Sequence, residues 1–385
     1  MPWNETCIMS QRTQFIEDWL SHRFSITELC RRYEIARKTG YKWINRFHSQ
    51  GMNGMADLSR ARHTQAQQTP DWIVEHILDL KVRYPYWGPV KIHSALYRDN
   101  ALQAWPAAST IGEILKKNGL VRSKRKRQRI PPHTQPLKHA LEANDVWSAD
   151  FKGQFKLGNE RWCYPLTLTD NYSRMLLSCK GLYNTKLPPV LNLYKAAFRE
   201  YGLPKAIRTD NGWPFASLTL GGLSPLSIWL IRLGINPERI KPGCPQQNGR
   251  HERMHRTLKE AVANPPKANL SVQQRALNRF RREYNFERPH QALGLGVCPN
   301  DAYQCSLRAY PEILPELNYP ANFEIRKVKC GGYIKFHGRP IYTTRRLVGE
   351  YVGLKAVDCN CWLLHFGTLK LGIVDEVVGR VIRPT

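Results

Sequence analysis

Three carboxylates stand out by where they fall in the chain. Asp150 sits inside the run Val146-Trp147-Ser148-Ala149-Asp150-Phe151, which reads as a strand. Asp210 ends a second short run, Ala206–Asp210, and is followed by Asn211-Gly212; Asn-Gly is a strong turn signal, so the strand stops there. Glu252 lies just inside a helical pattern that begins near Asn248. Two strands and one helix could bring these acids to one spot. Alone they repel, and each raises the pKa of its neighbours. Magnesium or manganese resolves the conflict, because these hard cations take carboxylate oxygen and leave positions open for phosphate. Two such ions, about 3.5–4 Å apart, stabilise the attacking and leaving oxygens of an in-line displacement at phosphorus. That is the chemistry of nucleases and polymerases.

The same helix permits another chemistry. His251-Glu252-Arg253-Met254-His255 fits H-E-x-x-H, in which two histidines one turn apart hold zinc and the glutamate acts as base. A zinc peptidase needs a third protein ligand, however, and has no use for Asp150 or Asp210.

The words around the acids carry more than the acids do, since the chain has 31 acidic residues. Asp-Asn-Gly at Asp210, Asn248-Gly249-Arg250-His251-Glu252-Arg253, and Tyr284-Asn285 with Arg288-Pro289-His290, Leu293, Pro299 and Tyr303 together resemble the bacterial insertion-sequence transposases with a retroviral-integrase-like core. The spacing from Asp210 to Glu252 is a few positions longer than that family's usual one, and a loop over 217–224 with Gly221-Gly222 is expected to absorb the excess. The resemblance implies a ribonuclease-H-like fold, a catalytic and metal-binding triad of Asp150, Asp210 and Glu252, two Mg²⁺ or Mn²⁺ ions, and strand cleavage and transfer at the element's terminal repeats. It also implies a homo-oligomer on DNA, because two ends must be cut together.

Composition agrees with a nucleic-acid partner. The formal net charge is +27, and residues 1–143, 144–305 and 306–385 are each net basic, so the excess is no local tail. Such a surface favours a polyanion, with DNA first among the candidates. The ten cysteines contain no Cys-x-x-Cys pair, and Cys359-x-Cys361 lies in an apolar run, so buried thiols are expected. No apolar stretch is long enough to span a membrane. No Gly-x-x-x-x-Gly-Lys-Ser/Thr loop occurs, so no nucleotide cofactor is expected. A cytoplasmic, nucleoid-associated protein is the reading.

The elements that must position the triad follow from periodicity. Residues 1–50 read as a helix-turn-helix domain whose last helix carries Arg37, Lys38, Lys42 and Arg46 off its apolar face, as a DNA-contacting helix would. Residues 51–69 are a linker, and 70–121 a second helical, helix-turn-helix-like unit in which Thr110-Ile111-Gly112-Glu113 is expected to form a capping box and Gly119 a C-cap. Residues 122–143 are a basic linker, with Lys124, Arg125, Lys126 and Arg127 expected to track DNA phosphates. The α/β core spans 144–305: a mixed five-stranded sheet with flanking helices, its strands including Trp162–Thr169, Met175–Cys179 and Arg239–Lys241. Arg256 and Lys259, four and seven positions after Glu252, share its helix face and are expected to hold DNA. Asp170 reads as a turn-capping acid. Residues 306–321 are a linker, and 322–385 show short strands expected to close into a small β-barrel with basic edges, to which the resemblance assigns DNA binding. A DNA-binding regulator without catalysis would share the charge and the helical units but leave the carboxylates without a task.

Overall fold

The computed structural model describes residues 8–58, 68–121, 137, 140–217, 219–241, 245–263, 265–358 and 360–382. It divides into two compact units, Met1–Gln68 and Thr69–Thr385.

The first unit is helical: α1 (Ile8–Leu20), α2 (Ile26–Arg32) and α3 (Arg37–Gln50). Ser25 starts α2 with a capping box: its Oγ accepts from the Glu28 backbone N–H at 3.3 Å, and its own N–H donates to the Glu28 carboxylate at 2.9 Å. Phe15, Ile16, Leu29, Cys30, Trp43, Ile44 and Met55 form the core. Helices α2 and α3 approach closely because position 40 is glycine; a Cβ there would stand 2.6 Å from Cys30 Sγ. On α3, Arg37, Lys38 and Lys42 are exposed. Arg46 differs: it folds back, donating to the Ala56 carbonyl at 3.3 Å and lying over the Trp43 ring.

The second unit begins with α4 (Asp71–Arg83), α5 (Pro89–Asp99) and α6 (Ala108–Lys117), packed on Ile73, Ile77, Trp87, Ile92, Leu96, Ile111 and Leu115. The expected capping box at Thr110 does not form. Helix α6 starts at Ala108 with Ala107 as an N-cap that has no side-chain bond, so Thr110 already lies inside the first turn. Gly119 closes the helix with φ +69°. This bundle docks on the α/β part through polar contacts. Tyr86 donates to Glu283 and Tyr84 to Glu287. Lys91 Nζ donates to the Pro289 carbonyl at 3.0 Å, and Arg98 forks onto Asp301 and reaches the Gly296 carbonyl. Arg98→Ala should therefore cost about 1 kcal/mol, since the pair is partly exposed. A lowered urea midpoint with an unchanged slope would register this.

The α/β part contains β1 (Val146–Phe151), β2 (Phe155–Lys156), β3 (Trp162–Asp170), β4 (Leu176–Leu182), β5 (Ala206–Thr209) and β6 (Asn236–Arg239). Its five main strands run in the order β4–β3–β1–β5–β6, with β2 on the edge of β3. The β1–β3 and β3–β4 ladders are antiparallel, whereas β1–β5 and β5–β6 are parallel. This mixed sheet fits the ribonuclease-H-like expectation. Strand β6 lies three residues earlier than the sequence suggested, because the Asn236 N–H takes the Lys205 carbonyl and the ladder with β5 starts there. Helices α7 (Leu187–Tyr201) and α8 (Pro225–Arg232) contribute to the core on one face, with Trp147, Ala149, Leu166, Leu168 and Leu177 beneath them. Helices α9 (Gly249–Leu258) and α10 (Leu270–Arg282) cover the other face over Leu176 and Cys179. Both end in a π-helical turn, Lys259–Ala263 and Glu283–Glu287.

The C-terminal part is not a closed barrel. Strands β7 (Glu324–Lys327), β10 (Tyr351–Asp358), β11 (Cys361–Phe366), β12 (Leu369–Asp375) and β13 (Arg380–Ile382) make an open antiparallel sheet in the order β13–β12–β11–β10–β7. Strands β8 (Tyr333–Phe336) and β9 (Arg339–Tyr342) form a separate hairpin. Closure would need a ladder between β13 and β7, and none exists among the described residues. The apolar face is covered instead by the hairpin's Ile334, Phe336 and Ile341 and by Leu220, Leu223, Ile228 and Ile231 from the α/β part.

Candidate active site

Alternation along the central strands decides which side chains can do chemistry. Trp147 and Ala149 belong to the core under α7. Ser148 and Asp150, one step out of phase, point to the face that α9 covers. Thr167 and Thr169 do the same on β3 between Leu166 and Leu168. In the parallel β1–β5 ladder Ser148 is level with Arg208. Two residues further, the same register sets Asp150 level with Asp210, just past the last residue of β5. Neighbouring strands lie about 4.8 Å apart, so the two acids are side by side at the carboxyl ends of adjacent strands.

Asp210 turns the chain on itself: its Oδ1 accepts from the Gly212 N–H at 3.1 Å, and Asn211 Nδ2 donates to the Ile240 carbonyl at 2.7 Å. A Cβ at position 212 would press to 3.1 Å from Asp210 Oδ2, so glycine keeps the carboxylate's flank clear. Asp150 is mostly buried. Burial first, then the negative charges of Asp210 and Glu252, push its pKa up to about 7. The Glu252 charge thus reaches Asp150, although Glu252 itself is exposed on α9. Among the described residues, no three His, Cys, Asp or Glu side chains stand ready to hold an ion as they are. The donor set nevertheless suits a hard divalent cation: carboxylates of which Asp150 is desolvated and feels the Lys152 charge only weakly against burial and its fellow acids, around a flank kept open by glycine.

A hydrogen-bond hub locks α9 to the sheet. Thr167 Oγ1 donates to the backbone carbonyl of Asp150 at 3.1 Å. It also lies 2.7 Å from His251 Nε2 and 2.6 Å from His255 Nε2. The second ring nitrogen of His251 is 2.8 Å from Thr169 Oγ1. His255 Nδ1 is 3.8 Å from Asp150 Oδ2. This disposes of the zinc reading of the His-Glu-x-x-His motif. Both nitrogens of His251 are occupied by threonines, the histidines face the sheet, and Glu252 lies on the exposed side of the helix. Sequence reasoning missed the hub, and it also missed Lys152, whose pKa is lowered by burial and by Lys259 and raised by Asp150. The Thr-Leu-Thr alternation was visible, but nothing in it named the partner helix.

Of the basic residues expected at DNA, Arg256 is exposed on α9, and Lys259 is exposed in the π-helical turn that follows. Lys124, Arg125, Lys126 and Arg127 lie outside the described residues. Asp170 is the turn-capping acid expected of it: Ser173 donates to its Oδ2 through N–H and hydroxyl, and the Asn144 N–H donates to its Oδ1.

Residues 140–245 and 233–296 each match an integrase core domain family. Residues 11–63 match a helix-turn-helix domain and 39–115 a homeodomain-like domain. The chain is 31% identical over 175 residues to the 39.2 kDa protein of insertion element IS476 from Xanthomonas euvesicatoria, covering 45% of this chain and 49% of that protein. It is 31% identical over 180 residues to the 31.7 kDa protein of insertion element IS407 from Burkholderia multivorans, covering 45% of this chain and 60% of that protein. The chain thus spans about half the length of these curated relatives. Among solved structures, the HTLV-2 integrase catalytic core domain in complex with magnesium superposes with a TM-score of 0.35 at 16% identity, over 43% of this chain and all of that one. No described helix is long and apolar enough to cross a membrane.

Proposed function

We propose that this chain, which carries the integrase core and helix-turn-helix domains of an insertion-sequence transposase, cuts DNA at the ends of its own element and joins the freed ends to a target. The observation that carries the reading is the strand register that sets Asp150 level with Asp210 beside the helix of Glu252. Asp150, Asp210 and Glu252 would hold two Mg²⁺ or Mn²⁺ ions, with Glu252 turning in from solvent as the third ligand. Bound there, the ions would supply Lewis acidity at the scissile phosphate. The chain's own residues do the rest. The hub at Thr167 fixes the spacing of the two carboxylate-bearing elements. Lys152, Arg256 and Lys259 supply positive charge for the phosphates on either side of the reacting one. Helix α3 offers Arg37, Lys38 and Lys42 to a major groove at the terminal repeats, while Arg46, folded back on its own unit, is the weakest of that set. Joining strands by transesterification conserves bond energy, which fits a sequence without a nucleotide-binding loop. A homo-oligomer assembled on two element ends, acting at the nucleoid, completes the proposal.

The test is a strand-transfer assay with labelled element ends and Mg²⁺. Glu252→Gln should slow transfer by about 10²-fold, a loss near 3 kcal/mol of transition-state stabilisation, with DNA binding retained. Equal transfer by the two proteins would refute the assignment of Glu252, and no transfer by either would leave a DNA-binding regulator as the better account.

A further inference from the structure

Four arginines converge away from the three carboxylates, and the described ion pairs include none of them. Arg174 closes the β3–β4 turn with φ +66°, and its Nη1 donates to the Asn171 carbonyl at 2.7 Å. Arg250, at the start of α9, donates to the same oxygen at 3.1 Å. Two guanidinium groups therefore share one neutral acceptor. Arg253 lies one turn further along α9 and is exposed. Arg288 follows α10 and is only 9% exposed; its Nε is buried without a partner, and its guanidinium lies over the Tyr284 ring. The charges of Arg288, Arg174 and Arg253 all act on the Tyr284 phenol. Burial and the nearby Arg250 lower the pKa of Arg174 to about 10.

The nearby acids do not neutralise this group. Asp170 is taken by Ser173 and Asn144, and Glu283 by Tyr86. The charges of Asp170 on Arg174 and of Glu283 and Glu260 on Arg288 are outweighed by burial in both. A cluster of partly desolvated cations that repel one another is unfavourable unless an anion joins them. Guanidinium forks match phosphate oxygens bidentately. The exposed Arg250 and Arg253 form the rim, and the buried Arg288 and Tyr284 form the floor.

We propose that Arg174, Arg250, Arg253 and Arg288 bind one backbone phosphate of the DNA strand that crosses α9. The site sits near Asn171, whose N–H bonds the Val146 carbonyl at the start of β1. Asp150 is four residues along that strand, about 13 Å away. The phosphate held here therefore lies a few nucleotides from the reacting one and sets the strand's register. This inference rests on the DNA-transferring function proposed above.

The experiment measures the affinity of the full chain for a duplex of element-end sequence across a salt series. Each neutralised phosphate contributes about 0.9 to the slope of log affinity against log salt. Arg253→Gln should lower that slope by about one, while Arg253→Lys should keep the slope and lose affinity through the missing fork. Lys180→Gln, on edge strand β4, should change neither. Tyr284→Phe, which keeps the core but removes the hydroxyl on the floor, should weaken binding severalfold. Sulfate alone should raise the melting temperature of the unaltered chain more than that of Arg253→Gln. An unchanged slope in Arg253→Gln, with the unaltered chain still binding, overturns the site alone. So does an equal fall in Lys180→Gln, or a sulfate effect that distinguishes the variants while DNA binding does not. No DNA binding by the unaltered chain at low salt overturns the proposed function, and this site with it.

Discussion

Asp150→Asn should reduce strand cleavage and joining by about 10³-fold and, in the absence of metal, make the protein more stable. Both effects come from one side chain. Under the proposed mechanism Asp150 is a largely buried metal ligand, and losing its charge removes about 4 kcal/mol of transition-state stabilisation. The stability gain follows from where the charge is placed. Burial and the charges of Asp210 and Glu252 move this carboxyl from 3.8 to about 7. In the unfolded chain it ionises near its ordinary value. As pH rises from about 4 to about 7, the unfolded state gives up a proton that the folded state retains, and the folded state loses stability. The loss is complete above about pH 7 and absent below about pH 4. Its ceiling is about 4 kcal/mol, and partial hydration of the side chain reduces the expected value to about 1–2 kcal/mol. Asparagine escapes this cost. With metal chelated, Asp150→Asn should match the unaltered protein at pH 4 and melt about 1.5–3 °C higher at pH 7.5. Saturating Mg²⁺ should cancel or reverse the difference, because only the carboxylate gains from the ion. A variant that melts lower at pH 7.5 without metal would mean that Asp150 already has a counter-charge and that the site needs no cation.

This dependence on long-range placement explains what the sequence reveals and what it withholds. The alternation around Asp150 and the Asn-Gly after Asp210 are local, and they locate two strand ends correctly. Helix α7 runs from Leu187 to Tyr201 as its periodicity implies, because its apolar face is continuous along the chain. The His-Glu-x-x-His pattern is also local, and there it misleads. It shows that two histidines share a helix face, but whether metal or threonine lies opposite is decided by β3, more than eighty positions earlier. The C-terminal strands are legible as strands from their Gly-separated apolar pairs, whereas closure depends on two edges meeting. Here the apolar face finds Leu223 and Ile231 of the α/β part instead. The docking of α5 through Arg98 on Asp301 is likewise invisible locally, since both residues read as ordinary surface charges. Strand β6 was misplaced because Asn236 and Pro237 are poor strand formers. Its position is dictated by the free edge of β5 rather than by its own residues.

The hub behind Asp150 yields the other large effect. Thr167→Val, nearly isosteric, should destabilise the protein by about 3–5 kcal/mol and lower strand transfer by about 10²-fold. The hydroxyl is fully buried and has one proton, which goes to the Asp150 carbonyl. Both imidazoles that meet its oxygen must then arrive as N–H donors, so His251 and His255 are each protonated on Nε2. Burial holds both rings neutral, with the pKa of His251 pushed down to about 3. His251 Nδ1 is thereby left to accept from Thr169. Valine would strand two buried N–H groups at once, each costing about 1–3 kcal/mol, while the Asp150 carbonyl keeps its ladder bond to β3. The activity loss has a separate cause. Thr167 is the point at which the strand of Asp150 and the helix of Glu252 are tied together, and a displacement of about 1 Å between reacting groups costs about 10²-fold. Thr167→Ser keeps the hydroxyl and should keep most of both properties. Nitrogen chemical shifts of the two imidazoles would check the assignment directly. If either ring carries its proton on Nδ1, the hub is wired differently, and the valine variant should then lose less than half the stability expected.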